Sequence, residues 1–310
     1  MKKIFASAFT FLSATALLAA CAIDSSPDSL PEKIIVAGVS LDSTKEAFES
    51  YDLLVSELSR ELGIPVEYYP TDSGAAVAEA VISGRVDVAL LSATGYLGVR
   101  KLVDNFDLVG VTLRIGESTP GYFSYGITPK DSSIFSLEDL SGQRVCFGQA
   151  ASTTGDLLPT AALLQVGIES RFDQEPDLER INTGSSSLSF GGVRDGDCIA
   201  GFATDSFFEV LMPEQGELNP DDYRVFWKSD RVPGAPLVVR NDLPGDLSER
   251  IKSLLLDDLN KTRLVETGVC SSESQCDYLA SNLWGFVAAE SAQYDFLAEA
   301  CARTGYDICN

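Results

Sequence analysis

The chain has 310 residues, of which 45% are hydrophobic, and its formal net charge is −23. This length supports one large or two modest hydrophobic cores, and the strong acidity argues against nucleic acid or an anionic membrane surface as a partner. The sequence contains no histidine, so the commonest general base and metal ligand is missing. We therefore expect no cofactor and no metal site.

The first twenty residues have the pattern of an export signal. Two lysines precede an apolar run that extends to Leu18, and residues 17–21 read L-L-A-A-C, which resembles the lipidation motif of bacterial lipoproteins. We predict a signal peptide at 1–20, lipidation of Cys21 and a polar tether at 21–33. The protein is then exported and either anchored to the outer face of the cell membrane or periplasmic. The alternative is an ordinary signal peptide followed by an unmodified cysteine.

Strands alternate with helices in the first third of the chain. The predicted order is strand 34–39, helix 48–62, strand 66–69, helix 75–82 and strand 86–91. Such alternation is typical of a parallel sheet, whose ligands bind at the carboxyl ends of the strands. The turns at those ends, at 40–43, 71–74 and 92–96, are rich in small hydroxyl residues.

The middle of the chain forms a second unit of the same kind. The aromatic, β-prone segment 121–128 is interpreted as a crossover, and the segments 223–227 and 232–240 lead back into the first sheet. We predict an α/β protein with two lobes, each a mixed, mainly parallel sheet flanked by helices. The first lobe comprises 34–126 plus 228–310, and the second comprises 127–227. Two lobes joined by two crossings enclose a cleft that closes by a hinge around a small molecule.

One turn of the second lobe has the features of an anion site. A strand at 144–147 leads into the sequence S-T-T-G at 152–155, and a helix follows from Leu157. Unpaired N–H groups at a helix start point outward, the helix dipole favours negative charge, and hydroxyls add donors. The candidate residues are Ser152, Thr153 and Thr154. The alternative is a simple N-cap, because serine and threonine are preferred there.

The cysteines indicate disulfide bonds. Six remain besides Cys21, and an even number in an exported protein suggests pairing. We favour Cys146–Cys198, because both lie in apolar strand-like segments that could be neighbours in one sheet. Local pairing predicts Cys270–Cys276 and Cys301–Cys309 within the C-terminal extension 260–310. A zinc site is the alternative, although no histidine supports it.

Several sequence runs together resemble the phosphonate, phosphite and phosphate-binding proteins of ABC importers. The resemblance extends from about residue 36 to residue 258. The runs are G-R-V-D-V-A-L-L at 84–91, G-Y-F-S at 121–124, P-K-D-S-S-I at 129–134, S-L-E-D-L-S-G at 136–142, A-S-T-T-G-D-L-L-P at 151–159 and S-D-R-V-P-G-A-P-L-V-V-R at 229–240. The resemblance implies a type II periplasmic-binding-protein fold. It also implies a small phosphorus oxyanion as ligand, delivery of that ligand to a membrane permease, and no enzymatic activity.

The resemblance also implies a set of ligand-binding residues. They are Ser152, Thr153 and Thr154 of the turn, Tyr122 of the crossover, Tyr96 and Ser92 after the third strand, Asp205, and Ser186 where the family commonly has histidine. A carboxylate such as Asp205 suits a protonated ligand, because a P–OH group needs an acceptor. Sulfate offers no proton at neutral pH and would be rejected. The tyrosines have an alternative role in the core, and Asp205 an alternative role as a helix cap.

Two other functions remain open at this stage. A sensor would present the same ligand, or another small solute, to a signalling partner rather than to a permease. A hydrolase on this fold would need a serine activated by lysine or a carboxylate, and neither Lys130 nor Lys228 lies in a catalytic motif. For either transport or sensing we expect a monomer.

Overall fold

A computed structural model describes residues 30–39, 47–171, 173–280 and 282–306. The predicted export signal, Cys21, most of the tether, the turn at 40–43 and Cys309 lie outside these residues, so the expectations attached to them stay predictions. In the described part of the chain, eleven strands form two separate sheets with helices on both faces.

The strands and helices alternate along much of the chain. The strands are β1 (Ile34–Gly38), β2 (Val66–Tyr68), β3 (Val88–Leu90), β4 (Phe106–Arg114), β5 (Ser124–Pro129), β6 (Arg144–Phe147), β7 (Glu179–Asn182), β8 (Ala200–Thr204), β9 (Tyr223–Lys228), β10 (Pro236–Arg240) and β11 (Leu283–Ala288). The helices are α1 (Ala47–Leu62), α2 (Gly74–Ile82), α3 (Ala93–Leu102), α4 (Leu158–Gln165), α5 (Ser186–Arg194), α6 (Met212–Glu214), α7 (Leu247–Ser253), α8 (Lys261–Glu266) and α9 (Leu297–Thr304). Turns of π-helix at Thr153–Leu157 and Phe207–Leu211 lead into α4 and α6, and another at Leu254–Asp258 follows α7. None of these described helices combines the length and apolar character that crossing a bilayer requires.

The two sheets are built on the same plan. The first has the strand order β11-β4-β10-β3-β1-β2 and the second has the order β7-β6-β8-β5-β9. In the first sheet, β1 pairs in parallel with β2 and with β3. In the second sheet, β6 pairs in parallel with β7 and with β8. The first strand after each crossing, β5 in the second lobe and β10 in the first, runs antiparallel to its neighbours. Each sheet is therefore mixed, and the predicted two-lobed α/β architecture is confirmed. The prediction that the sheets are mainly parallel is wrong, because among the described strands the three pairs on the β10 and β4 side of the first sheet and both pairs of β5 in the second are antiparallel.

Alternating side chains place each sheet between two helical layers. Ile34 and Val36 of β1 are buried against α1 and α7 on one face, whereas Ala37 is buried with residues of α2 and α3 on the other. The second sheet likewise separates two buried clusters. Because successive strand residues point to opposite faces, strands covered on both sides are apolar on both faces, as β1, β3 and most of β10 are.

The two crossings between the lobes are hydrogen-bonded to each other. Tyr122 and Val232 exchange backbone hydrogen bonds, each N–H donating at 2.9 Å to the other's carbonyl oxygen. Gly121 has a φ of +146°, and a Cβ atom there would lie 2.6 Å from the Val232 oxygen, so only glycine allows this approach. The first crossing ends before Ser124, because β5 lies wholly in the second sheet. The predicted boundary at residue 126 is therefore a few residues late.

Helix α3 and the C-terminal elements α8 and β11 were not predicted. Helix α3 begins where only a turn was expected, and α8 and β11 lie in the C-terminal region that was left without assigned structure. Strand β11 extends the first sheet beside β4. Helix α9 lies in the same region, and its residues Leu297 and Cys301 join a buried cluster with residues of the first lobe. The helix also packs along α4 of the second lobe.

Two of the three predicted disulfides are present among the described residues. Cys146 and Cys198 are joined, and Cys146 lies in β6, which is a direct neighbour of β8 just after Cys198. Cys270 and Cys276 are joined within the C-terminal region. These four sulfur atoms are therefore not thiolates that could hold zinc. The third predicted pair involves Cys309, which lies outside the described residues.

The two disulfides should differ in their contribution to stability. We expect the double variant Cys146→Ala/Cys198→Ala to lose about 4 kcal/mol of unfolding free energy and Cys270→Ala/Cys276→Ala to lose about 2 kcal/mol, since the loop-closure entropy grows with loop length. The cysteines are 52 and 6 residues apart, respectively. Urea unfolding of both variants measures the difference, and equal losses would contradict the entropic explanation.

Candidate functional site

A cleft of about 410 Å³ lies between the two lobes and against the crossings. Its lining is dominated by small hydroxyl residues, namely Thr71, Ser73, Ser92, Thr112, Ser152, Thr153, Thr154, Ser185, Ser186, Ser187, Thr204 and Ser206. Among the described residues, Arg114 is the one cationic side chain that lines it. The cleft thus offers many neutral hydrogen-bond donors and little net positive charge.

Four helices begin at this cleft, two from each lobe. The N-cap serines all line it, and each hydroxyl accepts a backbone N–H of its own first turn: Ser73 from Ala76 at 3.1 Å, Ser92 from Gly95 at 3.0 Å, Ser152 from Gly155 at 3.2 Å and Ser185 from Leu188 at 3.1 Å. The remaining first N–H groups of a helix have no acceptor within it. Four positive dipole ends therefore face one space, an arrangement that favours an anion.

The predicted S-T-T-G turn lies at the centre of this arrangement. Thr153 accepts a hydrogen bond from the Thr94 N–H at 3.1 Å, and the two threonine hydroxyls lie 2.9 Å apart. The Thr154 hydroxyl is 2.7 Å from that of Thr204 in the same lobe. These two hydroxyls are thus engaged with protein groups, and Thr153 ties the second lobe to the start of α3 in the first.

A close backbone approach sets the shape of the turn. The Gly148 N–H donates to the Gly155 oxygen at 2.9 Å, and a Cβ atom on Gly155 would lie 2.9 Å from the Gly148 Cα atom. A side chain at Gly155 would therefore displace the strand from the helix. Ala151 adopts a φ of 61°, in the left-handed region, and its N–H donates to the Asp156 carboxylate at 2.7 Å.

Asp156 was not identified from the sequence, although it holds this turn. Its carboxylate is fully buried and forms an ion pair with Arg180. It also accepts hydrogen bonds from the Thr160 hydroxyl at 3.2 Å and the Tyr306 hydroxyl at 2.6 Å. Proximity to the S-T-T-G turn was the only available signal, because Arg180 and Tyr306 are distant in sequence.

Asp205 occupies a different position from the one expected. It is 1% exposed, and both carboxylate oxygens accept hydrogen bonds from the guanidinium of Arg114, which ends β4 in the first lobe. Its Oδ1 also accepts the Ser206 N–H at 2.9 Å. Asp205 does not line the cleft, whereas Arg114 does. The carboxylate therefore neutralises and orients a cleft arginine, which the sequence analysis did not single out.

Tyr122, Ser92 and Ser186 lie where the sequence predicted, in the lining of the cleft. Burial raises the pKa of the Tyr122 hydroxyl well above its ordinary value. It therefore stays protonated at neutral pH. Ser186 is the first residue of α5, so it contributes a backbone N–H as well as a hydroxyl.

Tyr96 does not line the cleft, so its position gives no support to a ligand contact. It lies one helical turn beyond Ser92, and its hydroxyl donates to the Ser291 hydroxyl at 2.8 Å. Its ring packs on that of Tyr294, with centroids 5.1 Å apart. The reason is the position along α3: the N-cap Ser92 lies at the cleft, whereas Tyr96 lies one turn farther along the helix, where it packs against the C-terminal chain.

Gln149 adds a polar contact between the lobes that the sequence analysis missed. Its Nε2 donates to the Asp72 carbonyl oxygen at 3.2 Å, and its Oε1 accepts the Gly74 N–H at a longer 3.5 Å. The side chain therefore reaches from the segment before the S-T-T-G turn to the start of α2. Together with Thr153 and Arg114 it links the lobes across the cleft.

The Arg114–Asp205 pair should be important for stability. We expect Arg114→Gln to lower the unfolding free energy by about 3–5 kcal/mol, because it leaves a buried carboxylate without its cationic partner. Arg114→Gln/Asp205→Asn should recover part of this loss. The control is Arg144→Gln, which breaks an exposed pair with Glu179 and should cost at most about 1 kcal/mol. Urea unfolding compares them, and similar losses for both single variants would argue against the pair's role.

Comparison with known proteins identifies the family. The family model described as "ABC transporter, phosphonate, periplasmic substrate-binding protein" matches residues 37–294. The phosphate-import protein PhnD of Mycolicibacterium smegmatis is 30% identical over 310 residues, which is 97% of this chain and 96% of that protein. The phosphonates-binding periplasmic protein of Escherichia coli is 25% identical over 233 residues, which is 73% of this chain and 66% of that protein.

Solved structures share the fold. The structure of PhnD1 from Prochlorococcus marinus in complex with methylphosphonate superposes with a TM-score of 0.71 at 19% identity, covering 90% of this chain and 99% of that one. A binding protein of a phosphonate ABC transporter from Pseudomonas aeruginosa gives 0.70 at 19% identity, covering 87% and 86%. The fold is thus that of type II periplasmic-binding proteins, and the chain belongs to the family of periplasmic substrate-binding proteins of phosphonate ABC transporters.

Proposed function

We propose that this protein binds a phosphorus oxyanion, namely phosphate, phosphite or a phosphonate, between its two lobes and delivers it to a membrane permease. The observation that carries the proposal is the convergence of four serine-capped helix starts on one cleft. Tetrahedral oxyanions need several donors from different directions, which N-termini on opposite walls supply. The relative at 30% identity is named for phosphate import, which supports phosphate as the first ligand to test.

The oxyanion would be held by neutral groups of both lobes. In the second lobe, Thr153 and Thr154 would donate their backbone N–H groups, and Ser152 and Ser186 their hydroxyls. Tyr122, whose phenol is protonated at neutral pH, would donate from the crossing side. Ligand bound between these groups would favour the closed arrangement of the lobes, which is the form we expect the permease to recognise.

Charge in the cleft would select the protonation state of the ligand. Arg114 is paired with buried Asp205, so the pair adds no net charge to the site. We therefore assign Asp205 the role of orienting Arg114 rather than receiving a ligand proton. A P–OH group would then find its acceptor in the Asp72 carboxylate or the serine hydroxyls that line the cleft. Sulfate, which has no proton at neutral pH, would leave such an acceptor facing a negative oxygen.

The remaining parts of the proposal concern the cellular setting. Removal of residues 1–20 and lipidation of Cys21 would tether a monomer at the outer face of the membrane, beside its permease. No chemical change of the ligand is part of this function.

The ligand class can be tested directly by calorimetric titration. We expect binding of at least one of phosphate, phosphite, methylphosphonate and 2-aminoethylphosphonate, and much weaker binding of sulfate. Binding of sulfate or an unrelated solute, with none of the phosphorus compounds bound, would exclude the proposal.

The role of the anion turn can be tested with one hydroxyl. Thr153→Val keeps the side-chain shape but loses the contact with Thr94, so we expect the dissociation constant of the bound phosphorus compound to rise about tenfold. The matched control is Thr128→Val, which removes a buried hydroxyl bonded to the Ile199 oxygen within the second lobe. Calorimetry on both variants should show weaker binding for the first alone, and equal binding would contradict the assignment.

A further inference from the structure

The end of the described chain connects the two lobes a third time. After β11 the chain packs on α3 of the first lobe: Arg100 forms an ion pair with Asp295 at 2.9 Å and donates to the Ser291 carbonyl oxygen at 3.0 Å. The hydroxyl of Tyr96 donates to that of Ser291. The next element, α9, packs along α4 of the second lobe. Residues 289–306, which we call the C-terminal strap, therefore extend from one lobe to the other.

Apolar packing under the strap also includes both lobes. Leu297 and Cys301 are buried in one cluster with Val77 and Leu97 of the first lobe and with Leu157 of the second. Leu157 is the last residue of the π-helical turn that begins at the S-T-T-G sequence. The strap thus covers the back of the anion turn rather than the surface of a single lobe.

The polar end of the strap reaches the residue that shapes the anion turn. The Tyr306 hydroxyl donates to Asp156 Oδ1 at 2.6 Å and lies 3.2 Å from the Thr160 hydroxyl. The other oxygen of the same carboxylate accepts the N–H of Ala151, which holds that residue at positive φ. Arg180 balances the charge. One buried carboxylate therefore connects the end of the chain to the turn that carries the oxyanion donors.

We propose that the C-terminal strap holds the lobes in the closed arrangement and that Tyr306 is a positioning residue for the anion-binding turn. Opening of the cleft must separate the strap from α3 or from α4, because it is attached to both. Loss of the Tyr306 hydroxyl weakens the attachment on the second-lobe side and removes one donor from Asp156. The turn then becomes more mobile, and bound ligand dissociates faster.

The test compares two tyrosine-to-phenylalanine variants of the full chain. Tyr306→Phe removes the bond to Asp156. The matched control Tyr278→Phe removes a buried hydroxyl that donates to the Leu259 oxygen at 2.6 Å within the first lobe. Affinity for inorganic phosphate and for methylphosphonate is measured by calorimetry, and this readout rests on the proposed function. Amide hydrogen exchange of residues 148–157 is measured without added ligand and does not rest on it.

We expect Tyr306→Phe to weaken binding about tenfold, mainly through faster dissociation, and to accelerate exchange at 148–157. Tyr278→Phe should lower thermal stability without either effect. Unchanged affinity and unchanged exchange in Tyr306→Phe, with only a lower melting temperature, would overturn the proposal. If the unaltered protein binds neither compound, the proposed function fails, and the exchange comparison alone still decides the role of the strap.

Discussion

The backbone N–H groups at the start of a helix have no acceptor inside that helix, and four helices of this protein begin at one cleft. Serine caps satisfy one such group in each. Two of the others are satisfied from the opposite lobe: Thr153 accepts the Thr94 N–H, and Gln149 accepts that of Gly74. The hydrogen bonds that satisfy these donors are therefore also contacts between the two lobes. In the proposed function, a ligand oxyanion would accept hydrogen bonds from the donors that remain.

The proposed binding of an anion by an acidic protein needs an explanation. The chain carries a net charge of −23, yet Arg114, the one cationic side chain that lines the cleft within the described residues, is paired with a buried aspartate. Fixed dipoles provide an alternative to net positive charge, because N–H groups oriented by the fold need no reorganisation when the ligand arrives. Such a site would discriminate between anions by the geometry of its donors and acceptors. Long-range electrostatic attraction would contribute little, because the acidic surface repels anions.

Much of the fold could be predicted because local signals and the global architecture agree. The apolar strands, the helix 48–62 ending at Gly63, and the return at 232–240 all lie close to the observed elements. Helix α3 was missed because its hydroxyl residues and two glycines indicate a turn. Its stability comes from burial under α2 and the C-terminal chain, which local propensity does not reveal. The same applies to β11, whose partner β4 is more than 160 residues earlier in the chain.

The sequence by itself determined the α/β class, the two-lobed organisation, the disulfide pairing of Cys146 with Cys198 and the helix start at the S-T-T-G turn. These features depend on periodicity, turn residues and runs of neighbouring residues, which are local. Only the tertiary structure decided that Tyr96 faces away from the cleft, that Asp205 pairs with Arg114, and that the chain end reaches Asp156. These contacts join residues separated by 91 to 195 positions, and their geometry arises only when both lobes and the C-terminal chain pack together.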